Sequence, residues 1–135
     1  MKYFRFKLIA LFAVLATITA CSMEDDADND YCYSSFYTGI NEVTGPETTT
    51  VDEPIEIMAT FNISNGCGEF NRFVATTNYP KQIVALVDYS GCTCTEVLQT
   101  VTEPYTFTAS EPGEYVLKFI KPDETFITKT ITVTE

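Results

Sequence analysis

Two cysteines one residue apart, Cys92 and Cys94, are the residues of this chain whose types and spacing most suggest chemistry. On an extended strand, side chains two positions apart share a face. Two thiolates so placed can hold a soft metal such as Cu(I), with Met58 as a further sulfur ligand. They can also exchange disulfides. Against both, Cys-x-Cys is not the spacing of a redox Cys-x-x-Cys, and no His or Lys lies beside it in sequence to lower a thiol pKa. The chain has 135 residues and no His at all. That removes the commonest general base and the usual zinc ligand. A structural disulfide is therefore the expected fate of these cysteines, and no catalytic residue, metal or cofactor is expected.

Carboxylates offer a second chemistry. Asp52 with Glu53, Asp88, Glu111 with Glu114, and Asp123 with Glu124 are the candidates. Glycoside hydrolysis needs two such groups about 5–10 Å apart across a cleft. These lie beside turn residues, so a solvated surface is the expectation. Function on such a domain is expected from loops, through a sugar or protein ligand, with Tyr79, Tyr89 and Tyr105 as the tyrosines to follow.

The elements that must position these residues read as strands. Ile55, Ile57, Ala59, Phe61 and Ile63 alternate with Glu56, Met58, Thr60 and Asn62, the pattern of a strand with one buried face. An aromatic run from Tyr31 is read as a first strand reaching Val43, ended by Gly45-Pro46. Thr48 to Val51 is a short extended piece. Strands are expected over residues 70–77, 82–89, 93–101, 114–120 and 125–134, separated by Asn65-Gly66, Asn78-Tyr79-Pro80, Ser90-Gly91, Ser110-Glu111-Pro112-Gly113 and Lys121-Pro122-Asp123-Glu124. Seven or eight short strands with no helix among them predict an antiparallel β-sandwich over residues 31–135.

Pro112-Gly113-Glu114-Tyr115-Val116-Leu117 resembles the corner before strand F of immunoglobulin-like domains. The resemblance implies a tyrosine whose hydroxyl bonds back to that corner. Leu117 stands where an antibody domain has its second cysteine, and there is no Trp. The likeness is therefore to the wider bacterial Ig-like and fibronectin-like set.

Residues 1–20 have the layout of a secretory signal: Lys2, Arg5 and Lys7, then an apolar run from Leu8 to Ile18, then small residues. The run is shorter than the roughly 20 apolar residues of a spanning helix. Ile18-Thr19-Ala20-Cys21 resembles the lipobox of bacterial lipoproteins. The resemblance implies a signal helix cleaved before Cys21, with acyl chains on that cysteine anchoring the protein in a membrane. Several chains are needed because each buried methylene contributes about 0.8 kcal/mol and one chain holds only marginally. Behind Cys21, Ser22, Glu24, Asp25 and Asp26 open an acidic stretch over residues 21–30. It resembles the export signal of Bacteroidota surface lipoproteins, which implies the outer face of the outer membrane. Asp26, Asp28 and Asp30 also match the first ligands of an EF-hand loop, but Tyr31 and Tyr37 stand where that loop needs Gly and Glu.

Without residues 1–20 the chain carries five basic and nineteen acidic residues, a net charge of −14. So acidic a chain lacks the electrostatic footprint of a nucleic-acid binder. With Cys21 lipidated, Cys32, Cys67, Cys92 and Cys94 remain, an even number suited to two disulfides in an oxidising compartment. Counting strands up and down puts the Cys67 loop and the Cys92 loop at one end. Cys67 is then expected to bond to Cys92 or Cys94, and Cys32 to the other. The function expected is that of a non-enzymatic binding or structural module at the cell surface; the alternative is an envelope redox or soft-metal protein using Cys92 and Cys94.

Overall fold

The computed structural model describes residues 32–135. The signal segment, Cys21 and the export residues Ser22, Glu24, Asp25 and Asp26 lie outside the described residues. Among the described residues there is no helix. Nine strands form two sheets: β1 (Tyr33–Thr38), β2 (Ile40–Thr44), β3 (Thr48–Thr50), β4 (Ile55–Ile63), β5 (Gly68–Ala75), β6 (Lys81–Ser90), β7 (Gln99–Phe107), β8 (Gly113–Ile120) and β9 (Phe126–Thr134). The larger sheet centres on β6. One edge of β6 takes β1 along residues 85–90 and β8 along residues 81–83, and the other edge takes β5. β9 and then β3 follow β8, while β2-β4-β7 make the second sheet.

Three sequence expectations are corrected. The aromatic run does not continue as one strand to Val43. It crosses from one sheet to the other at Gly39, where an added Cβ would lie 2.6 Å from the Lys121 carbonyl carbon, so only glycine fits. The strand expected at residues 93–101 runs instead from Gln99 to Phe107, straight through Pro104. Proline is tolerated there because β7 is an edge strand. The sandwich also has nine strands rather than seven or eight, and it is not purely antiparallel: β3 pairs with β9, and β6 with β8, in parallel. Between β6 and β8 the chain visits the second sheet as β7, and that detour lets it return in the same direction.

The expected alternation of β4 is observed. Ile57, Ala59, Phe61 and Ile63 are buried. One core cluster joins Ile40, Ile57, Ile83, Phe107, Leu117, Phe119 and Ile131; a second holds Phe61, Ile63, Ala85 and Val87. Phe73 packs against both. Its ring meets Phe70 at 4.9 Å, Phe61 at 6.1 Å and Tyr105 at 5.8 Å, and Tyr105 meets Phe119 at 5.8 Å. Edge-to-face and tilted contacts of this kind contribute about 0.5–1.5 kcal/mol each beyond burial.

At the start of β8, Tyr115 turns back on the preceding corner. Its hydroxyl donates to the Glu111 carbonyl at 2.9 Å, and its ring stacks edge-on with Phe107 and Tyr79. Tyr115→Phe removes only the hydroxyl, so a loss of about 1 kcal/mol is expected in chemical denaturation. A loss near zero would mean that the hydrogen bond does not fix the corner.

The exposed edges are blunted in ways that discourage strand pairing with other chains. β3 has only three residues. β2 carries a bulge between Ile40 and Glu42, and β5 one between Phe70 and Arg72. β7 carries Pro104.

Candidate functional site

The disulfides gather at one end of the sandwich. Cys32 bonds to Cys92, and Cys67 to Cys94. β4 ends at Ile63, β5 starts at Gly68 and β6 ends at Ser90, so the loops carrying Cys67 and Cys92 meet there. Backbone bonds tie them further: the Ser90 amide donates to the Cys67 carbonyl at 3.1 Å, and the Gly91 amide to the Cys32 carbonyl at 2.8 Å. The Cys92 and Cys94 sulfurs are therefore each bonded to a different partner. They do not stand as a dithiol.

Three of the carboxylates singled out in the sequence, Asp123, Glu53 and Asp88, are held in local contacts. Asp123 accepts from the Thr125 hydroxyl at 2.6 Å and its amide at 3.1 Å, beside Lys121. Those bonds and the Lys121 charge lower its pKa. Glu53 accepts from the Thr50 hydroxyl. On the outer face of the larger sheet, Asp88 accepts from Ser35 and from Asn71, both at 2.6 Å. The Ser35 bond above all, with Asn71, Tyr33 and the Arg72 charge, holds the Asp88 pKa below its ordinary value against desolvation, which pushes it up. A depressed carboxylate stabilises the fold above its unfolded pKa and loses that contribution as pH falls through the folded pKa. The fold is therefore expected to weaken on acidification below about pH 4. Asp88→Asn should flatten that limb of the stability curve, and an unchanged acid limb would remove Asp88 from it.

Of the three tyrosines, Tyr89 and Tyr105 are partly buried and Tyr79 is exposed. Tyr89 meets Phe36 at 5.8 Å, and its hydroxyl pairs with the Ser64 hydroxyl at 3.0 Å. Tyr105 is half-buried between Phe73 and Phe119, and burial pushes its pKa up. Tyr79 leans on Tyr115, with the Lys81 ammonium 5.0 Å from its ring.

A concave site was not legible in the sequence. Beside the disulfide end, a groove of about 410 Å3 opens between the edge strands β5 and β7. Its volume falls in the range of small-molecule and side-chain pockets. Ile63, Phe70 and Val101 line it and belong to the second core cluster or pack against it. Gly68 lets the β5 backbone lie close against its neighbours: an added Cβ would meet the Ile63 side chain and lie 2.7 Å from the Tyr89 ring. The polar lining is Gln99, Glu69 and Glu103. Gln99 is fixed by donating to the Asn65 carbonyl at 3.1 Å. Glu103 sits on the same face of β7 as Val101 and Phe107, the face paired with Phe61 and Ile55 of β4. A carboxylate on the core-facing side of a strand is an unusual placement. Among the described residues the ion pairs are Lys121 with Asp123 and Lys129 with Glu47. The Glu69 and Glu103 carboxylates take part in neither. Glu103 escaped the sequence reading because Pro104 hid the continuity of Gln99, Val101, Glu103, Tyr105 and Phe107. That alternation carried past the proline was the signal that could have found it.

Comparison with known families finds a match to the ORF11 beta-sandwich domain over residues 57–133. The chain belongs to that family. The match runs from within β4 to within β9 and takes in every residue of the groove. No curated protein and no solved structure matches this chain.

Proposed function

We propose that this member of the ORF11 beta-sandwich domain family is a bacterial outer-membrane lipoprotein. Acyl chains on Cys21 anchor it, the Ser22-Met23-Glu24-Asp25-Asp26 stretch directs it to the cell surface, and its Ig-like sandwich acts as a non-enzymatic binding module for a sugar or protein ligand. The observation that carries the reading is the pairing of Cys32 with Cys92 and of Cys67 with Cys94. Structural disulfides belong to oxidising compartments, which is where a chain with a lipobox behind a signal segment goes. With two staples closing one end, the sandwich is a rigid support for a site beside it, and the groove between β5 and β7 is that site.

The experiment is fractionation of cells making Cys21→Ser beside the unaltered chain. The unaltered protein should sediment with the outer membrane and be clipped by protease added to intact cells. Cys21→Ser should leave the membrane fraction. A Cys21→Ser protein that stays with the membrane would overturn the anchor, and protease protection of the unaltered protein would overturn the surface location.

A further inference from the structure

We infer that the groove between β5 and β7 receives a basic side chain, Lys or Arg, carried on a short extended segment of a partner protein. The inference rests on the reading of the sandwich as a binding module and names the partner's chemistry. Three features of the groove point the same way.

The first is the pairing of an apolar wall with a carboxylate. Ile63, Phe70 and Val101 give apolar surface, and Glu103, on the same face of β7 as Val101, gives negative charge beside it. A Lys or Arg side chain has that division in reverse order along its length. Its methylene stem covers apolar surface while its charged head reaches a carboxylate. Phe70 adds an aromatic ring within the lining, to which a cation is also attracted.

The second is charge. Residues 32–135 hold five basic and fourteen acidic residues, a net of −9. The field of the domain draws a cationic partner in and repels an anionic one. Arg72, the basic residue of β5, pairs across to Leu86 and lies past the bulge, outside the groove lining.

The third is where the edges are blunted. β5 is regular over Gly68, Glu69 and Phe70 and bulges after Phe70; β7 is regular from Gln99 to Glu103 and meets its proline at 104. The groove lies along those regular stretches. A segment of a few residues can therefore add main-chain bonds to β7 beside the groove, and cannot extend into a long added strand.

The test uses the full chain and a short fluorescent peptide alternating Val and Lys, with Val/Glu and Val/Ser peptides as comparisons. Binding is followed by anisotropy at low and high salt. The Val/Lys peptide should bind, the Val/Glu peptide should not, and salt should weaken the complex. Glu103→Gln should weaken it about fivefold. Glu114→Gln removes the same charge away from the groove and should change binding little. Thermal melting of both variants checks that they fold. Equal losses in the two variants would overturn the site, leaving only general attraction to an acidic surface. A Val/Ser peptide that binds as well as Val/Lys would overturn the basic specificity. If no peptide binds but a neutral oligosaccharide does, the protein partner is overturned while the binding-module reading stands. Failure of the anchor shows separately, in the Cys21→Ser fractionation.

Discussion

Replacing Cys32 and Cys92 together by alanine is expected to lower stability by about 4 kcal/mol, and replacing Cys67 and Cys94 by about 3.5 kcal/mol. The two bonds span 60 and 27 residues of sequence. A cross-link stabilises chiefly by shortening the list of conformations open to the unfolded chain, and the longer loop restricts it more. The order of the two effects follows the lengths of the loops they close. Urea denaturation of the two double variants measures both. For a domain whose total stability is about 5–15 kcal/mol, either loss is a large share. A larger loss from the shorter loop would show that Cys67–Cys94 acts mainly by holding the loops at that end, and the entropic account would fail.

Phe61→Ala should cost about 3–5 kcal/mol. Phe61 is fully buried, its ring lies 5.4 Å from Phe70 and 6.1 Å from Phe73, and it belongs to the cluster behind the groove. Truncation leaves a cavity that the two sheets, each held by its own ladder, cannot close. Glu56→Ala on the opposite, exposed face of the same strand should stay within about 0.5 kcal/mol of the parent. The midpoint of urea unfolding should fall for Phe61→Ala with an unchanged slope. A loss below about 1 kcal/mol would mean the core repacks around the gap.

What could be read from the sequence follows from which forces act locally. β4 was plain because Ile57, Ala59, Phe61 and Ile63 alternate with polar residues and each buried position is set by the pleat alone. Thr93 to Val101 misled because Thr, Cys and Val favour strands by propensity. In the structure Cys92 and Cys94 are tied to Cys32 and Cys67, and the residues between Ser90 and Gln99 follow the bridges instead of a ladder. Pro104 misled in the opposite direction, since a proline interrupts a strand only where its missing N–H would be needed. The parallel pairings of β3 with β9 and β6 with β8 depend on where distant segments come to rest, and no nearby residue announces them. The groove was hidden for the same reason. Its walls on β5 and β7, Phe70 and Val101, are 31 positions apart and line one opening only because β5 and β7 border the same side of the sandwich. Strand counting put Cys67 at the end shared by Cys92 and Cys94 but could not choose between them; that choice depends on how β1 lies against β6, with Tyr33 opposite Ser90.

The proposed anchor at Cys21 would hold this β-sandwich outside the cytoplasm, and mass spectrometry of the protein isolated from cells tests that anchor most directly. The amino-terminal peptide should begin at Cys21 and carry a diacylglyceryl group, with a further acyl chain on its amine. A Cys21 found unmodified, or still joined to Ala20, would contradict the anchor and the surface location built on it.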